Sequence, residues 1–570
     1  MTVNHITDRI RNRLKQIYGR IPYSDSQLVD LVNRLNKVKN SILPGSIKWD
    51  EKTMILITYG DGIVKQGEKP LTTLNTFIRK YRIDCFTHLH ILPFFPYSSD
   101  DGFSVINYTE VDPGLGSWEM IQDLGRNYDL MFDLVINHIS RQSEWFRNYC
   151  RGIEPDKDFF IETDPGTDLS AVIRPRALPL LTAVDTTSGT RYVWTTFSDD
   201  QIDLNFRNPE VLLKMIDVFL LYLLKGARII RLDAIAFLWK ETGTSCLHLS
   251  QTHEIVKLLR DITNFIDPTI ILLTETNVPE VENISYFGKG DEAAMVYQFS
   301  LPPLLLHALI TANSTYLNRW AASQPDIPEG CTYLNFTASH DGIGVRPLEG
   351  ILPEEERDFL IDTVRRNGGY ISTKRNNDST ESPYELNITY LDALKDPAND
   401  PDEFQILRFL CSQTLMMSFK GIPAFYLNSL LGTPNDQEGV SRTGMFRSIN
   451  RHKWNADDLS RKLNSETDHS YILSGLMHRI SLRQREPAFH PDTPQSVIPS
   501  VPELFIMSRG TRNKLFVLAN LSAKSVQVDT TRLPDIGSEY YDLLGGMQIE
   551  GRKILLRPYQ VCWLKKRPAI

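Results

Sequence analysis

The first fifty residues carry apolar side chains at the three- and four-residue spacing of an amphipathic helix. These positions are Ile10, Leu14, Ile17, Leu28, Leu31, Leu35 and Val38. The pattern ends before Pro44 and Gly45, two residues that commonly terminate helices. It predicts a helical N-terminal extension over residues 1–50.

From residue 51 onward, short apolar runs rich in β-branched residues alternate with helical patterns. The eight runs are 54–59, 84–91, 130–137, 227–234, 270–276, 293–299, 331–339 and 421–427. Continuous apolar strands separated by helices are typical of a parallel sheet that is covered on both faces. Eight of them predict an α/β fold, a closed (β/α)₈ TIM barrel over residues 51–138 and 206–494.

Uneven spacing between the runs predicts three further units. The long gap after the third run predicts an inserted domain over 139–205, and the excursion after the seventh predicts a loop or subdomain over 343–402. Both follow strands, so they should lie at the C-terminal face of the barrel, where barrel enzymes build their active sites. From about residue 495 short alternating strands predict a C-terminal antiparallel β-domain, 495–570.

Composition narrows the class of protein. The 570 residues are 41% hydrophobic and 23% charged with a formal net charge of -8, which argues against a nucleic-acid binder. We expect no membrane span and no signal peptide, because no run of 18 apolar residues and no apolar leader occurs. The six scattered cysteines form no CxxC, so we expect a cytoplasmic protein without a metal or other cofactor.

Polar residues cluster where the predicted strands end. His138 follows the third run, Arg231 and Asp233 end the fourth, and Glu275 ends the fifth. The seventh run ends at Ser339 and is followed directly by His340 and Asp341. Any one of these carboxylates could be a helix cap. Three at one barrel mouth, with an arginine beside one and a histidine beside another, favour a catalytic site.

Glycosidic bond chemistry with retention of configuration needs this set. One ionised carboxylate attacks the anomeric carbon, and one protonated carboxyl donates to the leaving oxygen. Arg231 can keep Asp233 ionised as the nucleophile, which leaves Glu275 as general acid and base. Asp341 would hold sugar hydroxyls, as would His138 and His340, although either histidine alone could be structural.

Longer motifs resemble the α-amylase superfamily, and specifically its sucrose phosphorylase branch. They are LITYGDG, HILPFFPYSSDDGF, WTTFSDDQIDLNF, IRLDAIAFLWKETGTSC, SHDGIG and RSINRH. The resemblance implies the catalytic roles just given. It further implies that Asp100 and Arg451 hold the 4-hydroxyl of glucose. The remaining glucose contacts that it implies are Phe103, His138, Arg231 and His340.

The resemblance also implies a phosphate site. An arginine of the inserted domain and a tyrosine after strand seven match Arg176 and Tyr384. An anion that enters a cavity of carboxylates needs such a guanidinium. Without the resemblance, Arg176 would be a surface residue beside a turn.

On the acceptor side the chain departs from the sucrose enzymes. Asn277, Glu385 and Phe237 stand where those enzymes have His, Gln and Tyr around fructose, so sucrose is in doubt. The changes look more like the glucosylglycerate and glucosylglycerol phosphorylases of the branch. Lys374 and Arg375 could pair with an acceptor carboxylate or be solvated loop charges. Glu385 instead favours a neutral polyol.

We therefore expect a retaining α-glucosyl phosphorylase whose partners are an α-glucoside (2-O-α-glucosylglycerate first), phosphate and glucose 1-phosphate. Glucosylglycerol phosphorylase, sucrose or sucrose 6-phosphate phosphorylase, and a hydrolase or transglucosylase are alternatives. A non-catalytic relative is a further one, since fold alone does not establish activity. A homodimer is possible, because homodimers occur in the branch.

Overall fold

A closed barrel of eight parallel strands forms the centre of the computed structural model, which describes residues 1–375, 380–396, 398, 401–512, 514–534 and 539–566. The barrel strands, numbered here 1 to 8, are Ile55–Thr58, His88–Ile91, Asp129–Val135, Ala227–Asp233, Ile271–Thr274, Met295–Tyr297, Thr332–Asn335 and Ile422–Tyr426. Neighbours in sequence are neighbours in the ring, and Ile55 pairs with Ala424 to close it. Each predicted run supplies one strand, which confirms the (β/α)₈ fold.

Helices cover the outside of the barrel and follow the strands as a parallel sheet requires. The main ones are Pro70–Lys80, Trp118–Leu124, Pro209–Leu224, Ser250–Ile266, Leu301–Thr311, Thr315–Ala322, Gln405–Met416 and Asp468–Arg483, with the shorter Glu280–Ile284 after strand 5. The strand residues are almost completely buried between these helices and the barrel interior. Among the described residues, no helix combines the length and the apolar character that a membrane span needs.

Two segments outside the barrel stand next to its C-terminal face. In the first, His138–Ser140 pairs with Gln201–Asp203, Glu144–Arg151 is a helix, and Leu181–Thr186 forms a hairpin with Gly189–Trp194. The second contains the helices Glu354–Arg366 and Tyr390–Ala393 and a three-stranded sheet of Ile343–Gly344, Tyr370–Arg375 and Glu381–Asn387. The limits 139–205 and 343–402 for these units stay predictions.

Antiparallel strands make up the C-terminal part of the chain, as the alternating pattern predicts. Six form one sheet: Gln495–Val497, Leu504–Arg509, Leu515–Asn520, Glu539–Asp542, Met547–Glu550 and Val561–Lys566. Val526–Asp529 pairs with Lys553–Leu556 beside it. The buried Arg509 ties the sheet to the barrel, because it donates to the carbonyl oxygens of Ser418 and His490 at 2.8 and 2.9 Å.

Two N-terminal helices, Val3–Tyr18 and Asp25–Ser41, pack on the outside of the barrel. The second starts with a capping box between Ser24 and Gln27. The first buries its apolar stripe and carries Arg9 and Arg13, whose Nε atoms donate to the buried carboxylate of Asp261 at 2.7 and 3.0 Å. These ion pairs join the extension to the barrel helix Ser250–Ile266.

Replacement of Asp261 by Ala should loosen this junction, because Arg9 then loses its carboxylate partner and Arg13 keeps only Glu254 and the more distant Asp291. We expect a loss of about 2–3 kcal/mol in the free energy of unfolding, measured by denaturant titration. Arg11→Ala is the control, since Arg11 and its partner Asp25 are both exposed. Its effect should stay within about 0.5 kcal/mol, and equal effects of the two changes would contradict this role for Asp261.

Candidate active site

A cavity opens at the C-terminal ends of the barrel strands. Asp233, Glu275 and Asp341 line it from the barrel, Arg176 from the segment before strand 4, and Glu385 from the sheet that follows strand 7. The loops that each follow a strand thus bring distant parts of the sequence to one place, as barrel topology dictates.

Arg231 organises one wall of the cavity. Its Nη1 atom lies 2.6 Å from Asp233 Oδ1 and 2.6 Å from Asp133 Oδ1. His90 Nε2 lies 2.7 Å from the other oxygen of Asp133. Burial alone would raise the pKa of Asp133, but His90 and Arg231 outweigh it and the pKa is lowered. Asp133 therefore stays ionised and holds the guanidinium beside Asp233.

Glu275 directly follows strand 5 and lies next to the guanidinium of Arg231. The backbone N–H of Ala234 donates to its Oε2 at 3.3 Å, and Arg231 Nη2 lies 4.0 Å from that oxygen. Burial, together with the neighbouring Glu275, raises the pKa of Asp233 to about 8, and burial also raises the pKa of Glu275. Two such carboxyls share one proton near neutral pH. The proton belongs on Glu275, because Arg231 contacts Asp233 more closely.

Asp341 lies opposite, on the loop after strand 7. Arg447 Nη1 is 2.7 Å from Asp341 Oδ1, and His340 Nε2 is 3.3 Å from Oδ2. Burial would raise the pKa of Asp341, yet Arg447 and His340 lower it well below its usual value. Burial lowers the pKa of His340 to about 3, so its ring is neutral. That ring stacks on Phe103 with centroids 4.6 Å apart.

Asp100 of the cavity lining belongs to an ion-pair cluster. Arg451 Nη1 lies 3.2 Å from Asp100 Oδ1 and 2.9 Å from Asp101 Oδ2, and its Nε donates to the His340 carbonyl. Asp100 and Asp101 have φ of 50° and 47°, a conformation that costs energy outside glycine. Gly102 is required beside them, because a Cβ there would lie 2.5 Å from the carbonyl oxygen of Pro93. Strained backbone thus aims Asp100 into the cavity.

His138, another predicted site residue, also lines the cavity. Its Nε2 atom, however, already has a hydrogen-bond partner within the protein. His138 Nε2 lies 3.0 Å from the carbonyl oxygen of Phe103. Burial lowers the pKa of the imidazole, so it is neutral. His138 therefore fixes the loop that carries Phe103 as well as facing the cavity.

On the other side of the cavity Glu385 is paired with two arginines. Arg447 Nε and Nη2 donate to its two oxygens at 3.1 and 2.5 Å, and Arg176 Nη1 lies 3.7 Å away. Arg176 also stands over the ring of Tyr384, 5.7 Å from its centroid. Arg447 therefore neutralises the buried carboxylate of Glu385. The sequence alone does not reveal this partner.

Asn277, two residues after Glu275, is a buried polar group of the cavity wall with an oxygen that is unpaired among the described residues. It is 8% exposed with φ of 42°, and its Oδ1 has no hydrogen-bond partner within the described part of the chain. Gly344 is necessary opposite, because a Cβ there would lie 2.4 Å from this oxygen. Phe237 lines the same side. A buried, strained amide without a partner suits a ligand hydroxyl.

Lys374 and Arg375 do not belong to the cavity lining. Arg231 and Arg451 do not belong to it either, but they contact Asp233 and Asp100 of the lining. Lys374 and Arg375 lie on the strand Tyr370–Arg375, and the charged neighbours of Lys374 are Arg346, Glu349 and Glu282. Tyr384 and Glu385 lie on the neighbouring strand Glu381–Asn387, and both line the cavity. That Lys374 and Arg375 face the acceptor stays a prediction, as does the alternative that they are solvated loop charges.

Sequence reasoning assigns no role to three residues that pair with the charged groups of the site: His90, Asp133 and Arg447. The first two are polar residues inside otherwise apolar strands, at inward-facing positions, a signal that could have identified them. Arg447 stands four residues before Arg451 in the RSINRH motif, but nothing in the spacing assigns its partners. Among the described residues no cluster of three potential metal ligands occurs.

Comparison with known proteins identifies the family. The family model described as "Alpha amylase, catalytic domain" matches residues 84–342. The glucosylglycerate phosphorylase of Escherichia coli is 46% identical over 98% of this chain and 100% of its own length. The glucosylglycerol phosphorylase of Marinobacter adhaerens is 30% identical over 76% of this chain and 87% of its own.

Among solved structures, sucrose 6F-phosphate phosphorylase from Thermoanaerobacter thermosaccharolyticum superimposes with a TM-score of 0.74 at 25% identity. The match covers 90% of this chain and all of that one. The barrel, the carboxylates at its mouth and the full-length similarity lead to one assignment: the chain belongs to the α-amylase family, in the group of glycoside phosphorylases that includes the glucosylglycerate phosphorylases.

Proposed function

We propose that this chain is a glucosylglycerate phosphorylase, which converts 2-O-α-glucosylglycerate and phosphate into α-glucose 1-phosphate and glycerate. The observation that carries the proposal is the pairing of Arg231 with Asp233 at 2.6 Å beside Glu275 with its raised pKa. That pair supplies a carboxylate nucleophile and a proton donor in one cavity. The relative that is 46% identical over its full length bears the same activity in its name.

In the first half-reaction an oxygen of Asp233 attacks the anomeric carbon and the glycosidic C–O bond breaks. Glu275 transfers its proton to the departing glycerate oxygen. Asp341, kept ionised by Arg447, accepts hydrogen bonds from ring hydroxyls, and these strengthen as the ring becomes oxocarbenium-like. Asp100 and Arg451 hold the far end of the glucose unit.

In the second half-reaction a phosphate oxygen attacks the same carbon, and the electron pair of the C–O bond returns to Asp233. A phosphate oxygen is already anionic, so it needs little help from Glu275. Two inversions return the α configuration. Arg176 and Tyr384, which both line the cavity, supply the guanidinium and the hydroxyl donor that an incoming anion needs.

Glycerate is favoured over glycerol by the state of Glu385. A free carboxylate beside the acceptor would repel glycerate, but Arg447 satisfies both of its oxygens. Asn277 can accept a hydrogen bond from an acceptor hydroxyl. The free thiols of all six cysteines fit a reducing compartment such as the cytoplasm. A homodimer stays a prediction without an assigned interface.

The first test follows phosphate release from α-glucose 1-phosphate with glycerate, glycerol, fructose and fructose 6-phosphate as acceptors. We expect glycerate to give the highest specificity constant. In the reverse direction, NMR of the early product should show α-glucose 1-phosphate. A β product would exclude double displacement, and water as the preferred acceptor would make the chain a hydrolase.

The role of Glu275 predicts a loss that depends on the leaving group. Glu275→Gln should slow phosphorolysis of glucosylglycerate by roughly 10²- to 10⁴-fold, because glycerate leaves as an alcohol that needs a proton. Transfer from α-glucosyl fluoride to phosphate should suffer much less. In the wild type the phosphorolysis rate should fall as pH rises through the raised pKa of Glu275, since only the protonated carboxyl donates.

Glu280→Gln is the matched control for this experiment. Glu280 is another carboxyl whose pKa burial raises, but it accepts from Trp320 and Gln324 and does not belong to the cavity lining. It should keep both activities within a few-fold. Equal losses of Glu275→Gln with both donors would remove the acid–base assignment.

A further inference from the structure

Arg176 and Arg447 are the cations that line the cavity within the described residues. All three side-chain nitrogens of Arg447 are engaged: Nε and Nη2 with Glu385, and Nη1 with Asp341. Arg176 differs, because in the described part of the chain its guanidinium makes one loose ion pair at 3.7 Å and no hydrogen bond. The donors of Arg176 are thus the ones left for a ligand.

The two acceptors of the glucosyl enzyme share a chemical feature. Phosphate carries its anionic oxygens one atom away from the oxygen that attacks. Glycerate, attacking through its 2-hydroxyl, carries a carboxylate on the very carbon that bears that hydroxyl. Because retention makes both acceptors attack one carbon from one face, with anionic oxygens two or three bonds from the attacking oxygen, one cation beside that face can serve both.

We propose that Arg176, with the hydroxyl of Tyr384 beside it, forms a single anion subsite that the phosphate and the carboxylate of the acceptor occupy in turn. This inference rests on the proposed function and adds the class of acceptor, the 2-hydroxycarboxylates. When a 2-hydroxycarboxylate attacks, its O–C bond to the anomeric carbon forms and the bond to Asp233 breaks. The hydroxyl proton passes to the Glu275 carboxylate.

Recognition of both anions by the guanidinium of Arg176 requires no donor from Arg447, whose three side-chain nitrogens are already engaged. Planar guanidinium pairs with carboxylate and with phosphate in the same two-pronged geometry. Lys374 and Arg375, the other cations of the neighbouring loop, stand outside the lining. In 3-hydroxypropanoate the hydroxyl is one carbon further from the carboxylate than in glycerate. When this hydroxyl attacks, the carboxylate should therefore be displaced from Arg176.

The experiment compares Arg176→Gln with wild type in specificity constants for phosphate, glycerate and glycerol, with α-glucosyl fluoride as donor. Phosphate and glycerate should lose roughly ten- to a hundredfold relative to glycerol, by similar factors, because each loses a charge-assisted hydrogen bond. Arg176→Lys should recover part of both losses. In wild type, 2-hydroxypropanoate should be glucosylated and 3-hydroxypropanoate at least tenfold less efficiently.

Lys374→Gln is the matched control, and it should leave both ratios unchanged. A loss for phosphate alone, or a loss for glycerate in Lys374→Gln but not in Arg176→Gln, would overturn the shared subsite. So would unchanged ratios in a folded Arg176→Gln protein, checked by its melting temperature. Failure of the proposed function is a different result: wild type would then transfer glucose to neither anion.

Discussion

A buried guanidinium between two carboxylates is the interaction on which this active site depends. Arg231 bridges Asp133 and Asp233 at 2.6 Å each, inside a barrel that excludes water. Unpaired charges in such a place cost several kcal/mol. The paired set instead leaves one carboxylate ready to attack and pushes the shared proton toward Glu275. Fold and chemistry are therefore linked, since the barrel strands that bury Arg231 also present its partners.

In the second half of the site Arg447 likewise lies between two carboxylates, those of Asp341 and Glu385. One arginine neutralises Glu385 and keeps Asp341 ionised, so it connects the glucose side of the cavity with the acceptor side. Its position leaves Arg176 as the cation with donors to spare. An arginine whose nitrogens are all paired within the protein, such as Arg447, thus holds the site together. An arginine with donors that are unpaired among the described residues, such as Arg176, is available to bind the substrate.

The sequence predicts the barrel well, because continuous apolar strands between helices have few other solutions. Strand ends likewise place Asp233, Glu275 and Asp341, since a carboxylate after a parallel strand must reach the barrel mouth. What it cannot supply is the direction of loop side chains. Lys374 and Tyr384 belong to one hairpin, and nothing local shows which of its strands faces the cavity. The partner of Glu385, which is 62 residues away in sequence, is likewise set by tertiary packing.

Covalent chemistry at Asp233 is the central claim, and trapping the intermediate tests it most directly. A glucosyl fluoride with a second, electron-withdrawing fluorine on the ring slows breakdown of the glucosyl enzyme. After incubation and proteolysis, mass spectrometry should find the added sugar on the peptide that contains Asp233, and Asp233→Asn should carry none. A label on a peptide that bears Glu275 or Asp341 instead would contradict the account.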